Sequence, residues 1–255
     1  MEYVKKLGQN FLINQESLKK IIDALDIKSG ETIIEVGAGS GNLTKEILKT
    51  SAKVIAIEKD SKWVDELKAH IEDDKLEVIQ SDVRDILAEL TKGIGNYKLV
   101  GNIPYYLTGR LLRICQELEN APQTIVLTVQ KEVAERIVAK AGRGNQLSAI
   151  INLWAKSRII WHLRPADFYP RPKVDSAVIK IDPLAKKERL VNEEDVIALV
   201  KTGFSQPRKT LFNNLSSEFS KQSLKKVFQG FNFEAMIRPQ DLSRDLWIKL
   251  AKNLF

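Results

Sequence analysis

A glycine-rich turn directly after an apolar strand limits this chain to a narrow set of folds. The apolar stretch Thr32–Val36 runs into Gly37-Ala38-Gly39-Ser40-Gly41, and a helical pattern follows from Thr44. Glycines at alternate positions allow sharp turns and let a ligand approach the backbone closely. Because a helix begins at the same place, its free N–H groups face the ligand too. This order of strand, turn and helix predicts a nucleoside-binding α/β domain.

Apolar runs and helical patterns alternate through the first two-thirds of the chain. Strands are predicted at Thr32–Val36, Lys53–Glu58, Leu76–Ile79, Tyr97–Gly101, Thr124–Val129, Ile159–Leu163 and Ser176–Ile181. Helical patterns lie at Thr44–Lys49, Lys62–His70, Gly109–Leu118 and Glu132–Ala141. Alternation of this kind predicts an α/β fold, here a Rossmann-like, mostly parallel sheet with helices on both faces.

The pattern changes after Asp182-Pro183. From there on the sequence has no strand pattern, and helices are predicted at Glu193–Gly203, Thr210–Glu218, Ser223–Phe228 and Arg244–Leu254. We therefore predict two domains. Residues 1–182 form the Rossmann-like α/β domain, and residues 183–255 form a small, all-helical C-terminal domain.

Positive charge is concentrated in the smaller predicted domain. The chain has a formal net charge of +7. Residues 1–182 contain 27 Lys and Arg against 25 Asp and Glu, whereas residues 183–255 contain 13 against 8. On charge alone two interpretations stand: an ordinary solvated surface, or a surface that binds nucleic-acid phosphates.

Several classes of protein are disfavoured by what the sequence lacks. Cys115, the single cysteine, lies in an apolar helical stretch, so we expect a core thiol and a reducing, cytoplasmic location. No cluster has metal-ligand spacing, so no metal site is predicted. The N-terminus has basic residues without an apolar run behind them, and no stretch approaches about 18 apolar residues. We therefore expect no signal peptide and no membrane partner.

Acidic side chains at the strand ends indicate which ligand the glycine-rich turn holds. Asn42 stands where the dinucleotide pattern needs its third glycine, so a pyrophosphate is not indicated. Glu58 ends the second strand, where a carboxylate accepts hydrogen bonds from a ribose diol. Glu35 suits the cationic end of S-adenosylmethionine better than a phosphate. Asp82, after the third strand, is either an acceptor for the adenine amine of this donor or a helix N-cap.

The fourth predicted strand ends in the tetrapeptide Asn102-Ile103-Pro104-Tyr105. An exocyclic amine is a poor nucleophile because its lone pair is delocalised into the ring. Two acceptors, the Asn102 side-chain oxygen and the Ile103 carbonyl, favour the pyramidal geometry that methyl transfer needs. Pro104 fixes the turn, and Tyr105 offers a flat face for a stacked base. The alternative is an ordinary Asn-Pro turn with a surface tyrosine.

Taken together, these motifs resemble those of the rRNA adenine dimethyltransferase family over nearly the whole chain. The matching stretches are Leu7–Leu12, Glu35–Thr44, Asn102–Tyr105, Val129–Arg136, Phe168–Val178, Phe204–Leu215 and Arg238–Ser243. Unrelated methyltransferases share only the glycine-rich turn and in some cases an Asn-Pro-Tyr motif. The resemblance implies transfer of methyl groups from S-adenosylmethionine to adenine N6 in rRNA.

The resemblance also implies roles for particular residues. Asn10 and Leu12 match the N-terminal segment that closes over the methyl donor, and Phe168 matches the second aromatic of the target pocket, opposite Tyr105. Gly37, Glu58, Asp82 and Asn102 match donor-contacting positions. Gln9, Glu35, Gly39, Gly41, Lys59 and Val83 complete the donor site that we predict. The predicted RNA contacts are Arg171 and Lys173 in the first domain and Lys201, Arg208 and Lys209 in the second.

Two branches of this family act on different RNAs. The housekeeping branch dimethylates two adjacent adenosines in a hairpin of small-subunit (16S) rRNA during ribosome assembly, and the Pro172–Val178 and Arg208–Leu215 segments resemble it. The macrolide-resistance branch, which modifies large-subunit (23S) rRNA, is the alternative. A third hypothesis is a non-catalytic ribosome-assembly or transcription factor. For the favoured branch we expect a monomer whose partner is rRNA in an assembling 30S particle.

Overall fold

The computed structural model describes residues 10–185 and 193–255. Its strands are β1 (Phe11–Leu12), β2 (Thr32–Val36), β3 (Lys53–Glu58), β4 (Leu76–Gln80), β5 (Tyr97–Gly101), β6 (Ile125–Gln130), β7 (Ala155–Leu163), β8 (Phe168–Tyr169) and β9 (Ser176–Pro183). Its helices are α1 (Gln15–Leu25), α2 (Asn42–Leu48), α3 (Ser61–His70), α4 (Val83–Lys92), α5 (Thr108–Glu117), α6 (Lys131–Ile137), α7 (Gln146–Trp154), α8 (Glu193–Gly203), α9 (Leu211–Leu215), α10 (Lys221–Gly230) and α11 (Arg244–Leu254). Within these residues, no helix combines the length and the apolar composition needed to cross a membrane.

Seven strands form one sheet in the order β4-β3-β2-β5-β6-β9-β7. The five strands from β4 to β6 pair in parallel, and β9 runs antiparallel to β6. From β2 the chain continues to β3 and β4 on one side, whereas β5 leads to β6 on the other. In an open α/β sheet, such a reversal of strand order leaves a crevice at the carboxyl ends of the strands, where ligands bind. The predicted Rossmann-like sheet is confirmed.

All seven predicted strands are present, although β7 begins at Ala155 and not at Ile159, and four further elements were not predicted. The short strands β1 and β8 pair antiparallel to form a separate two-stranded ribbon. The helices α1 and α7 were also missed, and α6 ends at Ile137 rather than at Ala141. Asn14 caps α1 by accepting a hydrogen bond from the Ser17 N–H, and Asn145 caps α7 in the same way.

The sheet is held to its helices by an apolar core. Leu18, Ile21 and Leu25 of α1 are buried in one cluster with strand residues such as Ile33 and Val126. Their spacing of three and four residues puts them on one face of α1. Residues of the inner strands are buried on both faces, which explains why these strands read as continuous apolar runs.

The chain divides into two compact units, which correct the predicted domain boundary in one respect. The first unit comprises Met1–Ala134 and Arg158–Pro183, and the second comprises Glu135–Ser157 and Leu184–Phe255. The break after Pro183 lies one residue from the predicted one. However, α7 groups with the C-terminal helices, because Leu153 packs in their apolar cluster and the Leu184 N–H donates to the Trp154 carbonyl.

Candidate active site

A cavity of about 430 Å³ lies at the carboxyl ends of β2 to β5. This volume falls in the range of small-molecule sites. Seven of the predicted donor-binding residues line it: Asn10, Gly37, Gly39, Glu58, Lys59, Asp82 and Val83. The four residues from Asn102 to Tyr105 line the same cavity. The fold therefore brings the glycine-rich turn and the Asn102–Tyr105 turn to one site, although they are far apart in sequence.

The glycine-rich turn has the positive φ angles that its glycines permit. Gly37, Gly39 and Gly41 have φ angles of 71°, 49° and 74°. At Gly39 there is also no room for a side chain, since a Cβ atom would lie 2.5 Å from the Phe11 ring. Phe11 in turn packs edge-on against Trp63, with 4.7 Å between the ring centroids. The turn and the β1 segment thus fit closely together at the cavity wall.

Glu58 anchors the turn and still has capacity for a ligand. Its Oε2 accepts from the Gly39 N–H at 2.9 Å, and its Oε1 accepts from the N–H groups of Lys59 and Asp60 at 2.8 and 2.9 Å. A carboxylate has about four lone-pair sites, so one on Oε2 remains for a hydroxyl donor. This geometry fits one hydroxyl of a ribose diol.

Asp82 is both a helix cap and a residue of the cavity wall. Its Oδ1 accepts from the Arg84 N–H at 3.0 Å, at the start of α4. The Arg84 side chain also binds both carboxylate oxygens, at 2.9 and 2.6 Å, and Lys59 Nζ lies 3.0 Å from Oδ2. The Arg84 guanidinium holds the pKa of the Asp82 carboxyl well below its usual range. Asp82 is therefore ionised at neutral pH, and Arg84 and Lys59 occupy its four lone-pair sites, so an adenine amine can donate to it only after one of these two exposed side chains has moved.

The Asn102 side chain has a fixed orientation. Its Nδ2 donates to the Asn10 carbonyl oxygen at 2.7 Å. Because a carbonyl oxygen only accepts, the amide nitrogen must face Asn10, and the side-chain oxygen is directed away from it. Pro104, with φ −54° and ψ 136°, keeps the following turn extended before a short 3₁₀ helix begins at Tyr105. The turn thus offers the Asn102 oxygen and the Ile103 carbonyl as neighbouring acceptors.

Tyr105 is held in place by its hydroxyl group. Its Oη lies 2.7 Å from the Ser176 Oγ, at the start of β9. Burial raises the pKa of the Tyr105 phenol, so the phenol stays neutral in the physiological range. Tethered at its tip, the ring is a rigid wall of the cavity. A rigid aromatic face suits a stacked base.

Three predicted donor-binding residues do not line the cavity. Glu35 is fully buried, and its carboxyl accepts from the Thr44 hydroxyl at 2.6 Å. Burial raises the pKa of Glu35 to about 7, so the carboxyl is a weak partner for a cation at neutral pH. Leu12 is in the apolar core, and Gly41 caps α2. For these three residues the structure corrects the predicted placement, because they support the turn from behind. Gln9 lies outside the described residues.

Phe168 is the largest correction. The sequence places it in the target pocket, but its side chain is only 1% exposed and packs in the apolar core. The reason is its register in the ribbon, where Phe168 pairs with the buried Leu12 and the next residue, Tyr169, pairs with Phe11. Alternate residues of a strand point to opposite faces, so Tyr169 is exposed instead.

Sequence reasoning missed nine residues of the cavity wall, three of which bear on the geometry of the site. Phe11, Arg84 and Tyr106 all line it. Arg84 follows the Asp82 cap by two residues, a spacing that places its side chain within reach of the cap. Tyr106 directly follows the Asn102–Tyr105 motif and is 73% exposed. Phe11 belongs to the matching stretch Leu7–Leu12, but the apolar run Phe11-Leu12-Ile13 is too short to predict a strand.

The predicted RNA-binding residues lie on the protein surface. Arg171 and Lys173 are exposed between β8 and β9 in the first unit. In the second unit Lys201 is exposed near the end of α8, and Arg208 and Lys209 are exposed just before α9. Their exposure leaves all five side chains accessible to a phosphate backbone.

Comparisons with known proteins agree with this site. The sequence model described as "Ribosomal RNA adenine dimethylase" matches residues 2–254. A protein of Dehalococcoides mccartyi named "Ribosomal RNA small subunit methyltransferase A" is 39% identical over 252 residues, which cover 97% of this chain and 87% of that protein. The crystal structure of a dimethyladenosine transferase from Plasmodium falciparum superposes with a TM-score of 0.79 at 28% identity, covering 94% of this chain and 95% of the other. The 23S rRNA methyltransferase ErmE shares the fold, with a TM-score of 0.76 at 21% identity over 96% of this chain and 99% of ErmE.

Proposed function

The chain belongs to the ribosomal RNA adenine dimethylase family, and from this premise we propose that it dimethylates N6 of two adjacent adenosines in a hairpin of small-subunit (16S) rRNA, using S-adenosylmethionine, during ribosome biogenesis. The observation that carries the proposal is the shared cavity, in which the Asn102–Tyr105 turn lies beside Glu58 and Asp82. The same cavity thus holds an acceptor pair for an amine and two acidic residues for a nucleoside. The 39% identity to a protein named for the small subunit favours this RNA over large-subunit rRNA.

The donor site has a matching acceptor for each polar part of a nucleoside. The free lone pair of Glu58 accepts from the ribose, and the ionised Asp82 accepts from the adenine amine in place of the exposed Lys59 ammonium group. The backbone at Gly37 and Gly39 lets the ligand approach closely. S-adenosylmethionine bound here supplies a methyl group already activated by its sulfonium.

The Asn102–Tyr105 turn prepares the target amine for attack. The two N–H groups of the amine donate to the Asn102 Oδ1 and to the Ile103 carbonyl, while the base stacks on Tyr105. Hydrogen bonds in these directions draw the nitrogen towards a pyramidal shape and aim its lone pair at the methyl group. Holding the reacting atoms in line is the main contribution of the protein.

The reaction needs no general base. The nitrogen becomes acidic only after it has received the methyl group, and its proton is then lost to water. For the second transfer one N–H remains on the nitrogen, so one of the two acceptors is released. Neutral side chains at Asn102 and Tyr105 are sufficient for both steps.

The adenosine must leave the RNA stack to reach this turn, as is usual for enzymes that modify bases. Exposed cations bind the surrounding phosphates: Arg171 and Lys173 on the first unit, and Lys201, Arg208 and Lys209 on the second. Phosphate contacts position an RNA without reading its sequence, so they complement recognition of the base itself.

The proposed partner is the rRNA of an assembling 30S particle, and the proposed location is the cytoplasm. The name of the bacterial relative, which specifies small-subunit rRNA, supports this choice of RNA. We propose that the protein acts as a monomer, and light scattering coupled to size-exclusion chromatography tests this directly. A stable dimer at micromolar concentration would contradict it.

The deciding experiment is transfer of labelled methyl groups from S-adenosylmethionine to small ribosomal subunits that lack dimethyladenosine. Large-subunit RNA serves as the parallel substrate, and digested products are identified by mass. Dimethyladenosine in small-subunit rRNA alone is the expected result. Label only in large-subunit RNA would show that the protein is a methyltransferase of the macrolide-resistance type. Label in neither RNA, with donor binding intact, would favour a non-catalytic assembly factor.

A further inference from the structure

The β1–β8 ribbon presents an exposed aromatic beside the cavity. Phe11 and Tyr169 are directly opposite in the pairing, as are Leu12 and Phe168. Opposite residues of an antiparallel pair share a face of the ribbon. Leu12 and Phe168 face the core, so Phe11 and Tyr169 share the outer face, where Phe11 lines the cavity. Tyr169 therefore stands next to the cavity wall, and it is 53% exposed.

Three exposed cations lie on the loop that follows this aromatic or beside that loop. Arg171 and Lys173 follow Tyr169 within four residues, and both are exposed. The exposed Lys131 lies beside the same loop, because its N–H donates to the Asp175 carbonyl at 3.0 Å. The nearby Asp167 carboxylate is occupied as a cap, accepting from the Arg164 N–H at 2.7 Å. Asp175 is also exposed, so the three cations outnumber the two carboxylates of this segment by one.

An exposed aromatic ring within a basic surface has the composition of a single-stranded nucleic-acid site. Any base stacks on such a ring through its π-face, and the cations neutralise the adjoining phosphates. An apolar protein partner would not require the cations, and an acidic peptide would not require the ring. The occupant indicated by this surface is a nucleotide.

We propose that Tyr169 is the platform on which the base next to the target adenosine stacks, while Lys131, Arg171 and Lys173 hold its flanking phosphates. This inference rests on the proposed function. When one of two adjacent adenosines enters the cavity, its neighbour loses a stacking partner at the cavity mouth. The Tyr169 ring replaces that partner and so lowers the free energy needed to extrude the target base.

The test measures steady-state methylation of small subunits lacking the mark by three variants. Tyr169→Ala removes the ring, Tyr169→Phe keeps the ring without the hydroxyl, and Phe255→Ala removes an aromatic that is 63% exposed in the second unit. Stacking of one base on an aromatic side chain corresponds to about a 5- to 100-fold change in affinity. We expect Tyr169→Ala to raise KM for the subunit by this factor with kcat retained, because stacking acts equally on the bound and the reacting complex.

The controls separate stacking from a structural role. Tyr169→Phe should restore the KM of the wild type, and Phe255→Ala should not change it. Donor affinity, measured by titration with S-adenosylhomocysteine, should be unchanged in all three variants. An unchanged KM for Tyr169→Ala would overturn the inference, and so would a loss of donor affinity that accounts for the whole effect. If the wild type itself fails to methylate small subunits, the proposed function fails instead, so the two failures are distinguishable.

Discussion

A single hydrogen bond determines how Asn102 can serve the reaction. Since its Nδ2 is committed to the Asn10 carbonyl, its oxygen is the group left for the amine of the target. A side chain that cannot accept loses half of the acceptor pair, whereas the Ile103 carbonyl remains. The Asn102 side chain thus controls the rate of transfer more than the binding of either substrate.

We expect Asn102→Ala to lower kcat for methyl transfer on the order of 100-fold, by analogy with the loss of one preorganised hydrogen bond in other active sites. Rates under saturating donor and subunit measure this effect. Asn213→Ala, at an exposed asparagine of the second unit, is the matched control and should keep the wild-type rate. If Asn102→Ala retained more than about a third of the rate, the proposed role of its oxygen would be wrong.

Glu35 gives the protein a pH dependence that can be measured without substrate. Its pKa is about 7 in the folded chain, chiefly because of burial, against an ordinary value of 4.5. Below pH 4.5 the carboxyl is protonated in both states, and its contribution to stability is fully present. As the pH rises to about 7 the unfolded chain ionises first, so this contribution is lost.

Glu35→Gln should therefore gain stability relative to the wild type as the pH rises. We expect the difference in the free energy of unfolding to grow by roughly 1 to 3 kcal/mol between pH 5 and pH 8. Urea unfolding at the two pH values measures it, with Glu16→Gln on the exposed side of α1 as the control for losing one charge. Donor affinity should stay within a few-fold of the wild type, because Glu35 does not line the cavity. A large loss of donor affinity would instead support the contact predicted from the sequence.

At the scale of elements, the glycine-rich turn is shaped as much by β1 as by its own φ angles. Gly37 and Gly39 both have positive φ, but only at Gly39 would a Cβ meet Phe11. Both alanine variants should lose about 1 kcal/mol of stability from backbone strain. Gly39→Ala should in addition displace Phe11 from the cavity wall, and donor affinity should fall about tenfold more than in Gly37→Ala.

Calorimetric titration with S-adenosylhomocysteine, beside thermal unfolding of both variants, measures this difference. Gly37→Ala serves as the comparison, since a Cβ there meets no protein atom within 4 Å, and Gly30→Ala, at φ 77° and outside the cavity lining, controls for backbone strain alone. Equal donor affinities for the two variants would show that contact with Phe11 does not shape the donor site.

The elements that could be predicted from sequence are those with a regular apolar pattern. β2, β3 and β5 begin and end as predicted, since strands buried on both faces consist mainly of apolar residues and have few polar positions. The glycines, Glu58, Asp82 and Asn102 could be placed because they end these strands. The two-residue strands β1 and β8 have too few residues for any periodicity. Their register, set by tertiary pairing, decides that Phe168 is buried and Tyr169 exposed, which the motif could not reveal.

At the scale of the whole molecule, the division into units sharpens the charge asymmetry that the sequence indicates. With Glu135–Ser157 assigned to it, the second unit contains 17 Lys and Arg against 9 Asp and Glu. The first unit contains 23 against 24 and is close to neutral. The net positive charge of the chain therefore belongs to the second unit. This distribution favours the interpretation as a phosphate-binding surface over that of an ordinary solvated one.

A charge-matched pair of triple variants tests whether particular cations of this unit bind RNA. Alanine at Lys201, Arg208 and Lys209 removes three exposed cations from the segment around α8 and α9, and alanine at Lys221, Lys225 and Lys226 removes three exposed cations from α10. Both variants lose the same charge, so any long-range effect of net charge is equal.

If Lys201, Arg208 and Lys209 contact phosphates directly, only the first variant loses the counterions released at those contacts. The affinity of the first variant for small subunits should fall. The negative slope of log K against log salt should become shallower by about 2 to 3, whereas the α10 variant keeps the wild-type slope. Donor affinity should be unchanged in both, and equal salt slopes in the two variants would show that net charge, not these three residues, determines RNA binding.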